Sequence, residues 1–380
     1  MKLVAKTLYG LEKVLAEELT SLGAADIQPV NRAVLFDGDM SLLYKVNYCA
    51  RTALSVLMPI ADFRIRSKDD LYRGGLKIEW DRFMDTDDTF SIVPVINSPH
   101  FSHTGYAGLL LKDAIADSFR NKTGRRPSVD TSNPGILINL HISNNLVTIS
   151  VDSSVVSLFK RGYRQEQANA PLNEVLAAGI ILLSGWKVSA ALVDPMCGSG
   201  TIPIEAGLIA CKIPPGKFRQ FFGFQRWKDY NDDLFEEIKL ECNSQIGLSP
   251  VKISGSDISE QTLQYAKANV ARAGLSDVIT LEMSDFKDLK SIDDHEYVFL
   301  NPPYGQRIQP EEIDRLYGMI GTILKHNFTG TTAWLITSNK ESLKHIGLKP
   351  KEKHILFNGA LECVLLKYEI YQGTKKQEKS

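Results

Sequence analysis

From about residue 170 onward, short apolar strands alternate with helices, and this alternation constrains the fold more than any other feature of the sequence. We predict strands at Ala190–Val193, Lys252–Gly255, Ile279–Met283, Tyr297–Leu300 and Thr332–Thr337. Such alternation is typical of a mostly parallel, doubly wound sheet. Two more predicted strands, His354–Phe357 and Leu361–Tyr368, are separated by Asn358–Gly359, which is a strong hairpin signal. A parallel sheet closed by an antiparallel pair differs from a dinucleotide-binding fold, which lacks the final hairpin.

The N-terminal half predicts a mixture of helices and antiparallel strands. Its predicted elements are an N-terminal strand, a helix at Leu11–Leu22, a strand at Val34–Phe36, helices at Ser41–Ala53 and around Tyr106–Thr123, and strands at Gly135–Ile142 and Asn145–Asp152. We therefore predict an α+β module over 1–155, whose start over 1–55 is a small unit of its own. The doubly wound domain is predicted over 156–374, and the polar end at 375–380 is predicted to be a disordered tail.

Length and composition limit the class of protein. A chain of 380 residues is expected to form two or three domains, and 43% hydrophobic residues allow a large core. No apolar run approaches the roughly 20 residues that span a bilayer, and the N-terminus lacks the pattern of a secretory signal. The five cysteines are scattered and contain no C-x-x-C pair, which argues against a disulfide framework or a zinc site. We expect a cytoplasmic protein.

A glycine loop follows the first predicted strand of the second domain, in the stretch ALVDPMCGSGTIPIEAGLIA. Gly198 and Gly200 allow the backbone to approach a ligand closely, and the next helix begins with free N–H groups. The loop has no lysine, which a phosphate-binding NTPase loop needs. Pro203 stands where a dinucleotide fingerprint has Gly or Ala. Taken alone, the two glycines are also compatible with a simple tight turn.

Polar residues follow three further predicted strands at the point where each strand ends. Asp257 follows the second strand, Asp285 and Phe286 follow the third, and Asn301-Pro302-Pro303-Tyr304 follows the fourth. Ligands of an open α/β sheet bind outside the carboxyl ends of its strands. Asp257 is suited to accept hydrogen bonds from ribose hydroxyls, and Asp285 from an adenine amine. Asp257 alone would also suit the N-cap of the helix that follows.

The tetrapeptide Asn301-Pro302-Pro303-Tyr304 suits the binding of a planar base through its exocyclic amine. The lone pair of such an amine is delocalised into the ring, so acceptors must hold its N–H groups and turn the lone pair outwards. Asn301 Oδ1 and the Pro302 carbonyl can accept these bonds, and consecutive prolines stiffen the loop. Tyr304 can stack on a base that has left its helix. For in-line transfer of a group to such an amine, positioning the base is the main requirement, and a strong general base is not needed.

The segments DPMCGSGT and NPPYGQR, with the acidic strand ends, resemble the class I S-adenosylmethionine-dependent amino-methyltransferases. NPPY also occurs in adenine-N6 DNA methylases and in glutamine methyltransferases acting on proteins. The segments HTGYAGLLLKDAIADSFRNKTGRRPSVD, VTISVD and SLFKRGYRQEQANAPLNEVLAA resemble the THUMP-containing RNA methyltransferases, and TLYGLEKVLAEELTSLGA resembles their ferredoxin-like unit. The resemblance covers nearly the whole chain and is strongest to bacterial large-subunit ribosomal RNA guanine-N2 methyltransferases and their tRNA relatives.

The resemblance implies an α/β fold: a Rossmann-like seven-stranded methyltransferase sheet with a C-terminal antiparallel hairpin, preceded by a ferredoxin-like start over 1–55 and a THUMP module over 45–155. It implies methyl transfer from S-adenosylmethionine to the N2 amine of a guanine in RNA, with large-subunit ribosomal RNA favoured. A tRNA guanine-N2 methyltransferase, an adenine-N6 DNA methylase and a non-catalytic RNA-binding assembly factor stay open as alternatives. The oligomeric state is left open.

The resemblance also assigns site residues. Asn301, Pro302, Pro303 and Tyr304 would hold the base. The implied cofactor-binding residues are Ala170, Pro171, Leu172, Asp194, Pro195, Gly198, Gly200, Thr201, Asp257, Ile258, Asp285, Phe286 and Asn301. One departure is clear: before KRGYR the family usually has Ser-Gly, and this chain has Ser154-Val155-Val156, which puts the local loop geometry in question.

Local basic patches are needed to bind RNA, because the net charge is −1. The predicted RNA-binding residues are Lys112, Arg120, Lys122, Arg125, Arg126, Lys160, Arg161, Arg164, Arg226 and Arg307. Lys217–Tyr230 interleaves basic and aromatic residues, as RNA-stacking surfaces do, although a small satellite core is favoured for its phenylalanines. Arg307 either contacts RNA or pairs with Glu311. His100 and His103 lack a sensibly spaced third ligand, so we expect no metal.

Overall fold

The computed structural model describes residues 1–164, 172–291, 296–303 and 309–371, and the chain divides into two compact units. Unit 1 comprises Met1–Thr7, Ala16–Leu158 and Arg219–Glu241, and unit 2 comprises Leu8–Leu15, Phe159–Phe218 and Cys242–Ser380. Each unit combines its own sheet with helices, so the predicted α/β class is confirmed. The predicted tail at 375–380 lies outside the described residues.

Unit 1 is built on a mixed sheet. The elements up to its last strand are β1 (Lys2–Lys6), α1 (Glu12–Ser21), β2 (Ala25–Val30), β3 (Ala33–Asp37), α2 (Met40–Cys49), β4 (Ser55–Arg64), α3 (Lys68–Leu76), a 3-10 turn (Trp80–Arg82), β5 (Thr89–Asn97), α4 (Thr104–Thr123), β6 (Ser128–Val129), β7 (Ile136–Ser143) and β8 (Leu146–Asp152). Within the described residues the strand order is β2-β3-β1-β4-β8-β7-β5-β6. β5 runs parallel to β6 and β7, and the other neighbours are antiparallel.

Helix α4 shows why the sequence folds locally as it does. Its buried residues include Ala107, Leu111, Ala114 and Ile115, which recur at helical spacing and form one apolar stripe. The helix ends at Gly124, whose φ of 73° lies in the left-handed region that glycine adopts without strain. The predicted helix around Tyr106–Thr123 is therefore confirmed.

Unit 2 contains the predicted parallel sheet. After β8 the elements along the chain are α5 (Glu174–Leu183), β9 (Leu192–Asp194), α6 (Thr201–Ala210), 3-10 turns (Pro215–Phe218 and Gly223–Arg226), α7 (Asp232–Asn243), β10 (Ile253–Asp257), α8 (Glu260–Arg272), β11 (Ile279–Met283), a 3-10 turn (Phe286–Asp288), β12 (Tyr297–Leu300), α9 (Pro310–Asn327), β13 (Thr332–Thr337), a 3-10 turn (Ser342–His345), β14 (Glu352–Asn358) and β15 (Leu361–Glu369). Of these, the turn Gly223–Arg226 and most of α7 belong to unit 1. The strand order, for the described residues, is β11-β10-β9-β12-β13-β15-β14. The first five strands are parallel, and β15 is antiparallel to both neighbours.

This strand order indicates where on the unit 2 sheet a ligand is expected to bind. The chain runs outward from β9 in both directions, so the order reverses between β9 and β12, where ligands of open α/β sheets bind. The antiparallel pair is joined at Gly359, with Asn358 opposite Leu361, as the hairpin signal predicts. Both the parallel strands and the final hairpin are confirmed.

The insertion Arg219–Glu241 belongs to unit 1, so the two units interleave along the chain, whereas the sequence predicts contiguous domains. The reason is aromatic packing. Phe224 is fully buried and stacks on Tyr44 at a centroid distance of 4.3 Å, and Phe222 stacks on Phe224 at 5.3 Å. The satellite core favoured for the phenylalanines of Lys217–Tyr230 is confirmed for Phe222 and Phe224, which are not an exposed stacking surface.

Two expectations from composition can be compared with the structure. All five cysteines lie among the described residues, and none forms a disulfide. Among the helices that the structure describes, none combines the length and the apolar character needed to cross a bilayer.

Candidate cofactor and base-binding site

The carboxyl ends of β9, β10 and β12 lie side by side at one edge of the unit 2 sheet. Asp194 ends β9 and is in register with Gly255 on β10, two residues before Asp257. Leu300 ends β12, which pairs with β9, and Asn301 follows it directly. Three residues predicted from separate strand ends are thus brought to one edge, because the strands are parallel and adjacent.

The glycine loop forms a cradle in front of α6. Gly198 has a φ of 55° and Gly200 a φ of 85°, both in the left-handed region. A Cβ added at Gly198 would meet nothing within 4 Å, so this part of the backbone faces open space. Gly200 is the N-cap of α6 and has no side chain to accept from the first N–H groups of the helix, which are therefore available to a ligand. Pro195 and Thr201 are buried on either side of the loop.

Asp257 orders the glycine loop instead of capping the next helix. Its Oδ2 accepts a hydrogen bond of 3.0 Å from the Gly198 N–H, and its Oδ1 accepts one of 2.9 Å from the Ser259 N–H. Ser259 is the N-cap of α8, since its side chain accepts from the Thr262 N–H. Ile258, beside Asp257, is 71% exposed. A carboxylate and an exposed aliphatic side chain therefore stand together at the edge of the loop.

Asp194 is a buried acid at the centre of the site. Its side chain is 1% exposed within the protein, and its Oδ1 accepts a 3.2 Å hydrogen bond from the Met196 N–H. Burial raises the pKa of Asp194 to about 8, the Met196 N–H lowers it, and the charge of Asp257 raises it further. A cation bound in the cradle would favour the ionised form of this carboxyl.

Asp285 and Phe286 follow β11. Asp285 forms a 3.0 Å ion pair with Lys287 and accepts from the Lys287 N–H at 3.1 Å. The Lys287 side chain and N–H hold the pKa of Asp285 below its usual range, so it is an ionised acceptor. The Phe286 ring is buried in the core, 5.6 Å from the Phe328 centroid. We therefore do not expect its ring to contact a cofactor.

The side chain of Asn301 carries a polar atom to which no described residue donates a hydrogen bond. Its Oδ1 is buried and has no hydrogen-bond partner among the described residues. A buried acceptor without a donor is costly, so such an atom marks a place where a donor is expected to bind. Pro302 is buried and Pro303 is exposed. Tyr304, Arg307, Ala170 and Pro171 lie outside the described residues, and their predicted roles stay predictions.

The predictions that Arg161 and Arg164 contact RNA are wrong. Arg161 is 2% exposed, and its guanidinium pairs with both carboxylate oxygens of Glu205 at 3.4 Å. Arg164 pairs with Glu174 at 3.2 Å and donates to Thr201 Oγ1 at 2.6 Å and to the Leu172 carbonyl at 3.1 Å. Both arginines hold the segments around the glycine loop. The glutamate within the apolar helix TIPIEAGLIA was the sequence signal for a buried partner.

The predicted RNA-binding cations on α4 and just after it, which we call the α4 patch, are largely neutralised within unit 1. Four of its cations pair with carboxylates at 2.5–3.0 Å: Lys112 with Asp113, Arg120 with Asp117, Lys122 with Asp81, and Arg125 with Asp87. Arg126 and Lys160 are exposed. Arg226 donates to the Pro134 carbonyl at 2.8 Å and lies over the Phe221 ring at 4.4 Å. Most of these cations already have partners, which weakens the prediction that they bind RNA phosphates.

The strand order, the glycine cradle and the acidic edge together define a class I S-adenosylmethionine-dependent methyltransferase. The chain belongs to the RMKL-like methyltransferase family, whose methyltransferase domain matches residues 161–367. A THUMP domain matches residues 66–152, and an RlmL ferredoxin-like domain matches residues 2–57.

Relatives and a solved structure agree with this assignment. A protein of Synechocystis sp., provisionally named an RNA methyltransferase, is 39% identical over 364 residues and is matched over 95% of both chains. The ribosomal RNA large subunit methyltransferase K/L of Syntrophotalea carbinolica is 37% identical over 97% of this chain. This chain spans only 54% of that relative. The crystal structure of SMU.472, provisionally called a methyltransferase and complexed with SAH, is 29% identical and has a TM-score of 0.87. The match covers 98% of this chain and 99% of that chain.

Binding of S-adenosylmethionine near neutral pH is expected to release a proton from Asp194. The pKa of this carboxyl is raised from 3.8 to about 8, so the folded protein holds an extra proton between these values. In the free protein this linkage makes stability fall as pH rises from about 4 to about 8. The cofactor carries an ammonium and a sulfonium, which favour the carboxylate. Calorimetric titration in buffers of different ionisation enthalpy measures the released proton.

The control is Asp194→Asn, which keeps the shape of the side chain and has no proton to lose. We expect this variant to bind without proton release and with a smaller dependence of affinity on pH. Equal proton release by the wild type and Asp194→Asn would show that another group titrates.

Proposed function

We propose that the protein transfers a methyl group from S-adenosylmethionine to the N2 amine of a guanine in large-subunit ribosomal RNA. The observation that carries the proposal is the buried Oδ1 of Asn301, which has no hydrogen-bond partner among the described residues and lies at the sheet edge beside the glycine cradle. The THUMP domain and the relatives named as ribosomal RNA large subunit methyltransferases support RNA as the substrate. The guanine N2 position rests on the resemblance of the motifs.

The residues of the cradle fit the cofactor, which supplies a methyl group on a sulfonium. Asp257, which accepts from the Gly198 N–H of the loop, is the proposed acceptor for ribose hydroxyls, and the N–H groups at the start of α6 are the proposed donors to an anionic group. Asp194 offers a carboxylate to a cationic group. These groups hold the donor in one orientation, which is the main requirement for a displacement in line.

Asn301 and Pro302 act on the amine. Asn301 Oδ1 accepts from one N–H, and the Pro302 carbonyl is the candidate acceptor for the other. This arrangement fixes the plane of the base and directs the nitrogen lone pair at the methyl carbon. As the nitrogen–carbon bond forms, the carbon–sulfur bond breaks, and the amine proton then leaves to solvent. The chain contributes positioning and desolvation, and no strong base is needed.

Methyl transfer from tritiated S-adenosylmethionine to rRNA, tRNA, DNA and protein from cells lacking the gene tests the proposal. We expect label in large-subunit rRNA and N2-methylguanosine in the nucleoside mass spectrum. Label in tRNA or DNA would favour a tRNA methyltransferase or an adenine-N6 DNA methylase, respectively. Cofactor binding without label in any acceptor would favour a non-catalytic assembly factor.

A further inference from the structure

A basic groove lies on unit 1, between the end of β4, α3 and the 3-10 turn at Trp80–Arg82. Its cavity volume is about 910 Å³. The charged residues that line it are Arg64, Arg66, Asp70, Arg73, Lys77, Glu79 and Arg82. All five cations are exposed, and they outnumber the acids by three. We call these residues the α3 groove.

The two acids of the α3 groove leave most of its positive charge uncompensated. Asp70 accepts from the Arg66 and Ser67 N–H groups at 2.7 and 2.9 Å, so it serves to cap α3. Glu79 pairs only weakly with Arg82, at 3.5 Å between exposed atoms. Within the described chain, Arg66, Arg73 and Lys77 form no ion pair with a carboxylate. This is the opposite of the α4 patch, where four cations are paired.

The α3 groove also has an apolar floor. Phe63 and Phe83 line it and are half-buried, as are Ile60 and Ile78. The Phe63 ring lies against α3 so closely that a Cβ at Gly74 would be 2.3 Å from it, which is why glycine stands there. Cations around partly exposed aromatic side chains are the arrangement that binds single-stranded nucleic acid, with phosphates on the cations and bases against the rings.

We propose that the α3 groove is the main RNA-binding surface of unit 1 and that it holds a single-stranded segment of the RNA substrate by its phosphates. The choice of RNA as the ligand rests on the proposed function. Arg66, Arg73 and Lys77 contact phosphates, and Phe63 and Phe83 contact a base. The groove contributes affinity and not catalysis, because phosphate contacts position a nucleic acid without reading its sequence.

The test is the triple variant Arg66→Ala, Arg73→Ala, Lys77→Ala in the full-length protein. The probe is a fluorescent single-stranded RNA of about 16 nucleotides, titrated at several salt concentrations. Loss of three phosphate contacts should lower the slope of log Kd against log salt by about 2, which corresponds to roughly 50-fold weaker binding at about 0.15 M salt. All three side chains are exposed, so the melting temperature should not change.

The matched comparison is Lys112→Ala, Arg120→Ala, Arg125→Ala, which removes the same charge from the paired α4 patch. We expect this variant to lose less than about threefold in affinity, because its cations are neutralised by their own acids. An equal loss in both variants, or a larger loss on α4, would overturn the proposal. Binding of RNA is measured without methyl transfer. A wild-type protein that binds RNA through the groove but methylates none would therefore contradict the proposed function and not the role of the groove.

Discussion

Asn301→Ala is expected to lower kcat for RNA methylation at least about 100-fold while the affinity for S-adenosylmethionine stays within about twofold. The substitution removes the buried Oδ1 that has no hydrogen-bond partner among the described residues. Without this acceptor the amine is neither fixed in plane nor turned towards the donor. The cofactor keeps the glycine loop and Asp257, which lie on other strands. Methyl transfer to rRNA and calorimetric titration of the cofactor measure the two quantities.

Asn339→Ala is the matched control. Asn339 follows β13, the next strand of the same sheet, but its Oδ1 already accepts from the Ser342 N–H at 3.1 Å. We expect this variant to keep most of the activity. If Asn301→Ala loses cofactor binding in parallel with activity, the residue acts on the cofactor and its assigned role is wrong. If it keeps full activity, Asn301 does not hold the amine.

Glu205→Ala is expected to destabilise the protein by about 3–5 kcal/mol, because it breaks a buried ion pair from one side. Glu205 is fully buried, and its carboxylate faces the Arg161 guanidinium at 3.4 Å through two contacts. Tyr163 donates to the same carboxylate at 3.0 Å, and burial raises the Tyr163 pKa well above its ordinary range, so its hydroxyl stays protonated. Alanine leaves the guanidinium buried without this carboxylate. Chemical and thermal unfolding measure the loss.

Two further variants separate the buried charge from the helix that carries it. Glu236→Ala also places alanine in a helix, but its ion pair with Lys239 is about half exposed on the glutamate side, so little loss is expected. Arg161→Met combined with Glu205→Ala removes both charges and should recover part of the stability. A cost for Glu205→Ala no larger than that of Glu236→Ala would contradict the structural role assigned to the pair.

The strands of unit 2 could be predicted because each is a short apolar run between helices, and parallel order then follows from the crossover connections. The strands β2, β4, β5 and β6 of unit 1 were missed, of which β4 and β5 are the two longest. Pro59 and Pro94 lie inside them, and proline argues against a central strand. The structure accommodates Pro59 at an irregularity in the β4–β8 register, and Pro94 lies beyond the two residues of β5 that pair with β6.

In the site, some features follow from the order of elements along the chain, and others depend on contacts in space. Asp194, Asp257 and Asn301 were found because strand ends meet at a known edge of a parallel sheet. Partners of charged side chains follow no such rule. Arg161 and Glu205 are 44 residues apart and meet only in the folded unit. The sequence therefore overstates the surface charge of KRGYR and of α4, and it does not indicate the unpaired cations of the α3 groove.

A crystal structure of the protein with S-adenosylmethionine tests the central claim most directly. The donor should lie over Gly198 with its methyl group facing Asn301. The gap should admit an amine nitrogen about 3 Å from Asn301 Oδ1 and about 3–3.5 Å from the methyl carbon. A donor bound away from the glycine turn, or a side chain packed between its methyl group and Asn301, would contradict the account.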